Sequence, residues 1–78
     1  MIKIGDRILY KINKEYFSGI VIEINLWGRT WETLDMENHG YVAVKITDVG
    51  NSKYLEIGDT ETICAFGSEK YIKLIKEK

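Results

Sequence analysis

Trp27-Gly28-Arg29-Thr30-Trp31 is the stretch of this 78-residue chain whose residue types are best suited to recognition chemistry. Two indoles flank a glycine and a cation. An indole face attracts cations and stacks on bases, and a guanidinium can lie flat against it. Tyr41 and Tyr54 are expected to join this cluster on the outer face. Together with Trp27, Arg29 and Trp31 they make an aromatic platform or cage that stacks on a base, clamps a cationic side chain or anchors a partner protein. The competing reading is structural. One tryptophan plugs an end of a small fold and the other covers a thin core, because a domain of this size depends on each large apolar residue.

A second set of residues is cationic. Lys3, Arg7, Lys11 and Lys14 line one predicted strand and its turn, while Lys70, Lys73, Lys76 and Lys78 lie at the other end of the chain. If the last strand lies beside the first, these form one basic stripe, the footprint of phosphate-backbone binding. The alternative is a solvated face with edge lysines that discourage strand-to-strand association. Asp6, Glu15, Glu69 and Glu77 are interspersed among them.

Other chemistry finds little support. Asp35, Glu37, Asp48, Glu56, Asp59 and Glu61 make the middle of the chain acidic, but their spacing is not that of a calcium loop, so they read as solvated loops and hairpin tips. His39 has no nucleophile or orienting carboxylate beside it in sequence and reads as an exposed loop residue. Cys64, between Ile63 and Ala65, reads as a small buried hydrophobe. One cysteine cannot form an intramolecular disulfide, and with one histidine it cannot build a closed four-ligand zinc site. No glycine-rich phosphate loop and no paired carboxylates occur on a credible scaffold. No catalytic, metal or cofactor-binding residue is therefore assigned, and the chain is expected not to be an enzyme. An enzyme would need a site composed at a subunit axis.

The bulk numbers agree with one folded domain spanning residues 1–78. The composition is 45% hydrophobic and 29% charged, and the net charge is −1, where a dedicated nucleic-acid binder is more often strongly basic. So short a chain buries only about 60% of its unfolded surface, so packing or homo-oligomerisation must supply the rest of its stability. No apolar run approaches the length of a membrane span, and Met1 to Asp6 has neither an apolar core nor a cleavage site. With a single thiol, that points to the cytoplasm. The absence of proline and the many isoleucines, lysines and asparagines fit an AT-rich bacterial or phage genome.

These residues have to be positioned by strands. Ile8, Tyr10 and Ile12 alternate with Arg7, Leu9 and Lys11, a period of two. A polar turn follows at Asn13 to Glu15. Ile20, Ile22, Ile24 and Leu26 then alternate with Val21, Glu23 and Asn25, and their β-branching favours a pleated surface. A bulge at Gly19 would shift this phase and put Val21 inside instead. Thr33 to Glu37 and Tyr41 to Thr47 are predicted to form a hairpin closed by Asn38-His39-Gly40. Gly40 would take the left-handed position, Met36 would face Val42 and Leu34 would face Val44. Further strands are expected at Tyr54 to Ile57, with Leu55 and Ile57 inward, at Glu61 to Phe66, and at Tyr71 to Ile75, with Ile72 and Leu74 inward. Lys76 to Lys78 should fray. The sum is an all-β fold of five to six short antiparallel strands.

Gly5-Asp6-Arg7-Ile8-Leu9-Tyr10, followed about nine residues later by Gly19-Ile20-Val21-Ile22-Glu23-Ile24, resembles the opening hairpin of SH3-like barrels of the Tudor, KOW and CarD-type kind. Tyr71-Ile72-Lys73-Leu74-Ile75 resembles their last strand, which pairs back near the first. The resemblance implies a small SH3-like barrel. Such barrels bind peptides, methylated side chains, nucleic acids or larger assemblies, so the fold alone does not choose among them. Two expectations follow: a protein-interaction module presenting the aromatic surface, as a single chain or a homodimer, and, as the alternative, a nucleic-acid binder using the basic stripe.

Overall fold

The computed structural model describes residues 2–75; the expectations for Lys76, Glu77 and Lys78 lie outside them. Five strands form one antiparallel sheet: β1 (Arg7–Ile12), β2 (Glu15–Asn25), β3 (Tyr41–Asp48), β4 (Thr60–Cys64) and β5 (Ile72–Leu74), in the order β4-β3-β2-β1-β5. β1 to β4 are a meander of sheet neighbours. The chain then crosses from one edge to the other through a 3₁₀ turn, Ser68–Lys70, and lays β5 against β1. β4 and β5 are the two edges and are not paired with each other, so the sheet is open.

Alternation builds β1 as expected. Ile8 is fully buried, Tyr10 is partly buried against the core, and Arg7 and Lys11 are exposed. A two-residue turn, Asn13-Lys14, joins β1 to β2 and brings Tyr10 opposite Phe17. Asn13 sits at φ 55°, a left-handed position that asparagine tolerates better than most residues.

The phase of β2 differs from the simple alternation. Val21 is fully buried, while Ile20 is half-buried and Ile22 exposed. The inward set is Phe17, Gly19 and Val21, then Ile24 opposite Val42. The slip is at Ile22: Val21 pairs with Val44 and Glu23 with Ala43, so Ile22 is an extra residue on β2. The Gly5-Asp6 turn holds this bend. Gly5 N–H donates to the Val21 carbonyl at 2.7 Å and Val21 N–H to the Asp6 carbonyl at 2.9 Å. A second extra residue, Thr47, lies on β3 beside Gly19. Gly19 is required there for space, since a Cβ would strike the Lys45 carbonyl and the Val44 side chain.

The predicted hairpin at 33–47 does not form. β3 pairs with β2, and the intervening chain makes a 3₁₀ turn, Trp31–Thr33, followed by bends. Thr30 N–H donates to Thr33 Oγ1 at 2.9 Å, and Asp35 Oδ1 accepts the N–H of Glu37 at 2.9 Å and of Asn38 at 2.8 Å. These local bonds occupy backbone groups that a ladder would need. Leu34 is buried nonetheless, but Met36 is 83% exposed. Gly40 does take the left-handed conformation, at φ 60°, pressed against the backbone of Asn25 and Leu26.

The expected strand at Tyr54 to Ile57 is a bend, held where Ser52 Oγ accepts the N–H of Tyr54 and of Leu55, each at 3.3 Å. Leu55 packs on the core, whereas Ile57 is exposed. Cys64 is exposed rather than buried, because Ile63 takes the inward phase of β4. On β5, Ile72 and Leu74 take the inward phase as expected, opposite Tyr10 and Ile8; Ile72 packs on the core and Leu74 remains about half exposed at the edge. The core is Ile8, Val21, Val42, Val44 and Ile46, all essentially inaccessible, with Phe17, Leu34, Ile63 and Ala65 around them.

Candidate functional site

The five aromatic-surface residues are distributed among separate places. Trp27, at φ 55°, stands on the turn after β2, with its N–H held by Asn25 Oδ1 at 2.9 Å. Its ring meets His39, centroid to centroid at 4.7 Å, and remains about half exposed. Trp31 is engaged elsewhere. It packs on the core and lines a hollow with Ile2, Ile72 and Leu74. Arg29 reaches the Thr33 carbonyl at 3.5 Å and helps hold the Asp35 carboxyl below its usual range, behind the larger effects of the Asn38 and Glu37 N–H groups. Tyr41 donates its hydroxyl to Glu23 Oε2 at 2.7 Å, and that bond raises its pKa. Tyr54 is 88% exposed on the β3–β4 connection.

Tyr54 belongs to a different aromatic cluster. A groove of about 300 Å³ is walled by Tyr10, Ile12, Tyr16 and Phe17 from the first hairpin, by Ser52, Tyr54 and Leu55 from the β3–β4 connection, and by β4. Tyr10 packs on Phe17 at 5.2 Å and on Tyr71 at 6.2 Å between centroids. Asn51 fixes the two walls to each other. Its Oδ1 accepts the Tyr16 N–H at 3.0 Å, and its Nδ2 donates to the Lys14 carbonyl. Gly50 permits the approach, since a Cβ there would run into Tyr16.

The charge of this groove is one-sided. Glu15 and Glu61 line it, and no lysine or arginine is among its lining residues. Glu61 lies on the inner face, opposite Val44. The Tyr10 hydroxyl has a raised pKa, chiefly from burial and then from the negative charge that Tyr71, Cys64 and Glu61 can carry. Sequence reading missed Tyr10, Tyr16 and Phe17 as site residues. The signal was present in the turn: a two-residue Asn13-Lys14 connection requires Tyr10 to sit across from Phe17.

Four cations lie on the other face, where Asp48 and Glu23 also stand. Leu9 pairs with Lys73 across β1 and β5, and Arg7 and Lys11 share its outward phase. Lys45, opposite Ile20, which is itself opposite Arg7, extends the set. Lys3 lies in the N-terminal turn, where its N–H meets Asp6 Oδ2 at 2.8 Å, and Lys14 lies in the β1–β2 turn. Of the predicted stripe, Arg7, Lys11 and Lys73 are thus brought to one face.

Among the described residues no group of histidine, cysteine and acidic side chains is arranged to hold a metal ion, and no helix is long and apolar enough to cross a membrane. In comparison with known proteins, the chain matches no family model, no curated protein and no solved structure.

Proposed function

We propose that this chain is a non-enzymatic protein-interaction module on an SH3-like barrel. Support for the barrel comes from the meander of β1 to β4, the return of β5 onto β1, and the Gly5-Asp6 turn bonded into β2. The observation that carries the function is the groove, where Tyr10, Tyr16, Phe17 and Tyr54 surround a hollow bearing Glu15 and Glu61. Aromatic walls with a carboxylate rim suit a segment that is part apolar and part cationic. Trp27, about half exposed beside His39, is a second place for the same kind of contact. The single thiol supports a cytoplasmic setting.

The test is amide-shift mapping by NMR against blocked peptides in acidic, neutral and basic series. Shifts at Tyr10, Tyr54 and Glu61 with the basic series are expected. Shifts confined to Trp27, Arg29 and Tyr41 would move the site there, and none with any series would remove the proposal. Tyr54→Ala should weaken binding without loss of fold, since that side chain is almost wholly exposed.

The second reading, nucleic-acid binding, is supported by Arg7, Lys11, Lys45 and Lys73 on one outer face. It requires affinity that falls steeply with salt. Filter binding at two salt concentrations decides it, and no retention at the lower one removes it.

A further inference from the structure

Among the described residues, half of the backbone hydrogen-bonding capacity of β4 is unused, and the groove opens onto that side. Ile46 N–H donates to the Asp59 carbonyl at 2.8 Å and Ala65 N–H to the Gly40 carbonyl at 3.5 Å. Between these bonds lie the pairs Val44↔Glu61 and Val42↔Ile63. Bonded pairs alternate along an antiparallel ladder, so Glu61 and Ile63 turn their backbone groups to β3. Thr60, Thr62 and Cys64 turn theirs outward, where β4 has no neighbouring strand, and all three residues are exposed. Glu61, Thr62 and Ile63 line the groove in succession. Successive side chains point to opposite faces, so a hollow touching all three meets the strand at its edge.

The two edges of the sheet are not alike. β5 has three residues with Lys73 at its centre; shortness and an edge lysine both discourage pairing. β4 has five residues, Thr-Glu-Thr-Ile-Cys, with no proline and no lysine. Its approach is acidic, with Glu56 and Asp59 before it and Glu61 within it.

We infer that the outer edge of β4 receives an extended, basic segment of a partner protein as an additional strand. Alternate side chains of that segment enter the groove, and a lysine or arginine among them meets Glu61 and Glu15. This rests on the groove reading above and specifies its mode. Main-chain bonds to Thr60, Thr62 and Cys64 supply affinity, and the groove supplies selectivity. Charge complementarity selects the occupant: a second copy of β4 brings Glu61 and no cation, placing more negative charge against an acidic rim.

The probe is a blocked hexapeptide of alternating lysine and valine, with a glutamate-for-lysine control and two versions N-methylated on alternate residues. N-methylation on the set that bonds to β4 should weaken binding by at least about tenfold, as loss of more than one hydrogen bond implies, and the other set should bind like the parent. Amide hydrogens of Thr62 and Cys64 should exchange more slowly in the complex. Thr62→Pro, which removes an outward N–H and no ladder bond, should fold and lose the peptide. If both N-methylated versions bind like the parent while Tyr10 and Tyr54 still shift, strand addition is overturned and the groove stands. Equal affinity of the glutamate peptide overturns the basic occupant. A dimer abolished by Thr62→Pro replaces the partner with a second copy. No binding and no shift for any peptide overturns this inference, and the groove reading falls with it only if longer basic peptides also leave Tyr10 and Tyr54 unmoved.

Discussion

Along β1, Ile8 and Tyr10 look into the fold while Arg7, Leu9 and Lys11 look out, and the two sides acquire opposite chemistry. The inner side continues into an aromatic groove with Glu15 and Glu61. On the outer side Arg7, Lys11, Lys45 and Lys73 come together from three strands. Within a chain of net charge −1, the charged residues lining the groove are acids alone, while the outer side carries these cations together with Asp48 and Glu23. A period-two strand places one set of residues on each surface, and a slip of a single residue would exchange them. The turn at Asn13-Lys14 and the extra residue at Ile22 therefore determine which surface is which.

The strongest way to break this comparison is to truncate neighbours on β1. Ile8→Ala removes a fully buried side chain and should cost about 3 kcal/mol. Leu9→Ala, on the half-buried outer side, should cost less than about 1 kcal/mol. Denaturant titration of both variants measures the difference, and equal losses would mean the faces are misassigned. Gly19→Ala comes next. Its new Cβ meets the Lys45 carbonyl and the Val44 side chain, so a loss of about 2 kcal/mol is expected from overpacking. A neutral result would show that the β2–β3 bend can relax.

Charge exchange sharpens the comparison at the surface. Glu61→Lys should weaken the lysine–valine peptide about fivefold to tenfold, as expected for a charge at a binding rim. Lys73→Glu, on the opposite face, should leave that affinity within about twofold at moderate salt. Isothermal titration calorimetry of the two variants is the measurement, and an equal response would mean that net charge rather than location governs binding.

Much of this arrangement was legible in the sequence, and the failures have identifiable causes. β1, β5 and the left-handed Gly40 all follow from alternation and turn chemistry. The segment from Thr33 to Glu37 read as a strand because Leu34 and Met36 alternate, yet Thr33 and Asp35 bind neighbouring backbone groups first. β3 consequently pairs with β2, whose residues lie some twenty positions earlier, a choice without local signature. The indoles drew attention as a pair, but Trp31 serves the core and Trp27 meets His39. The groove was hidden because its residues come from three distant segments. Only the Tyr10–Phe17 contact could have been read from the turn length.

The smallest expected effect concerns the Tyr10 hydroxyl on the inner face. Its folded pKa is raised, first by burial and then by Tyr71, Cys64 and Glu61. The folded state therefore holds this proton more firmly than the unfolded chain. The associated stability is present below the ordinary tyrosine pKa of about 10 and is lost as pH rises through Tyr10's higher value. Tyrosinate absorbance should show two late-titrating tyrosines, Tyr10 and Tyr41, of which Tyr10→Phe removes one. Glu61→Gln should lower the Tyr10 midpoint only slightly, because Glu61 is the weakest of the four causes. Lys73→Glu should leave it unchanged, since the sheet stands between Lys73 and the inner face. A shift with Lys73→Glu as large as with Glu61→Gln would show the two faces to be electrostatically connected, and the opposite charges could no longer be treated as separate binding surfaces.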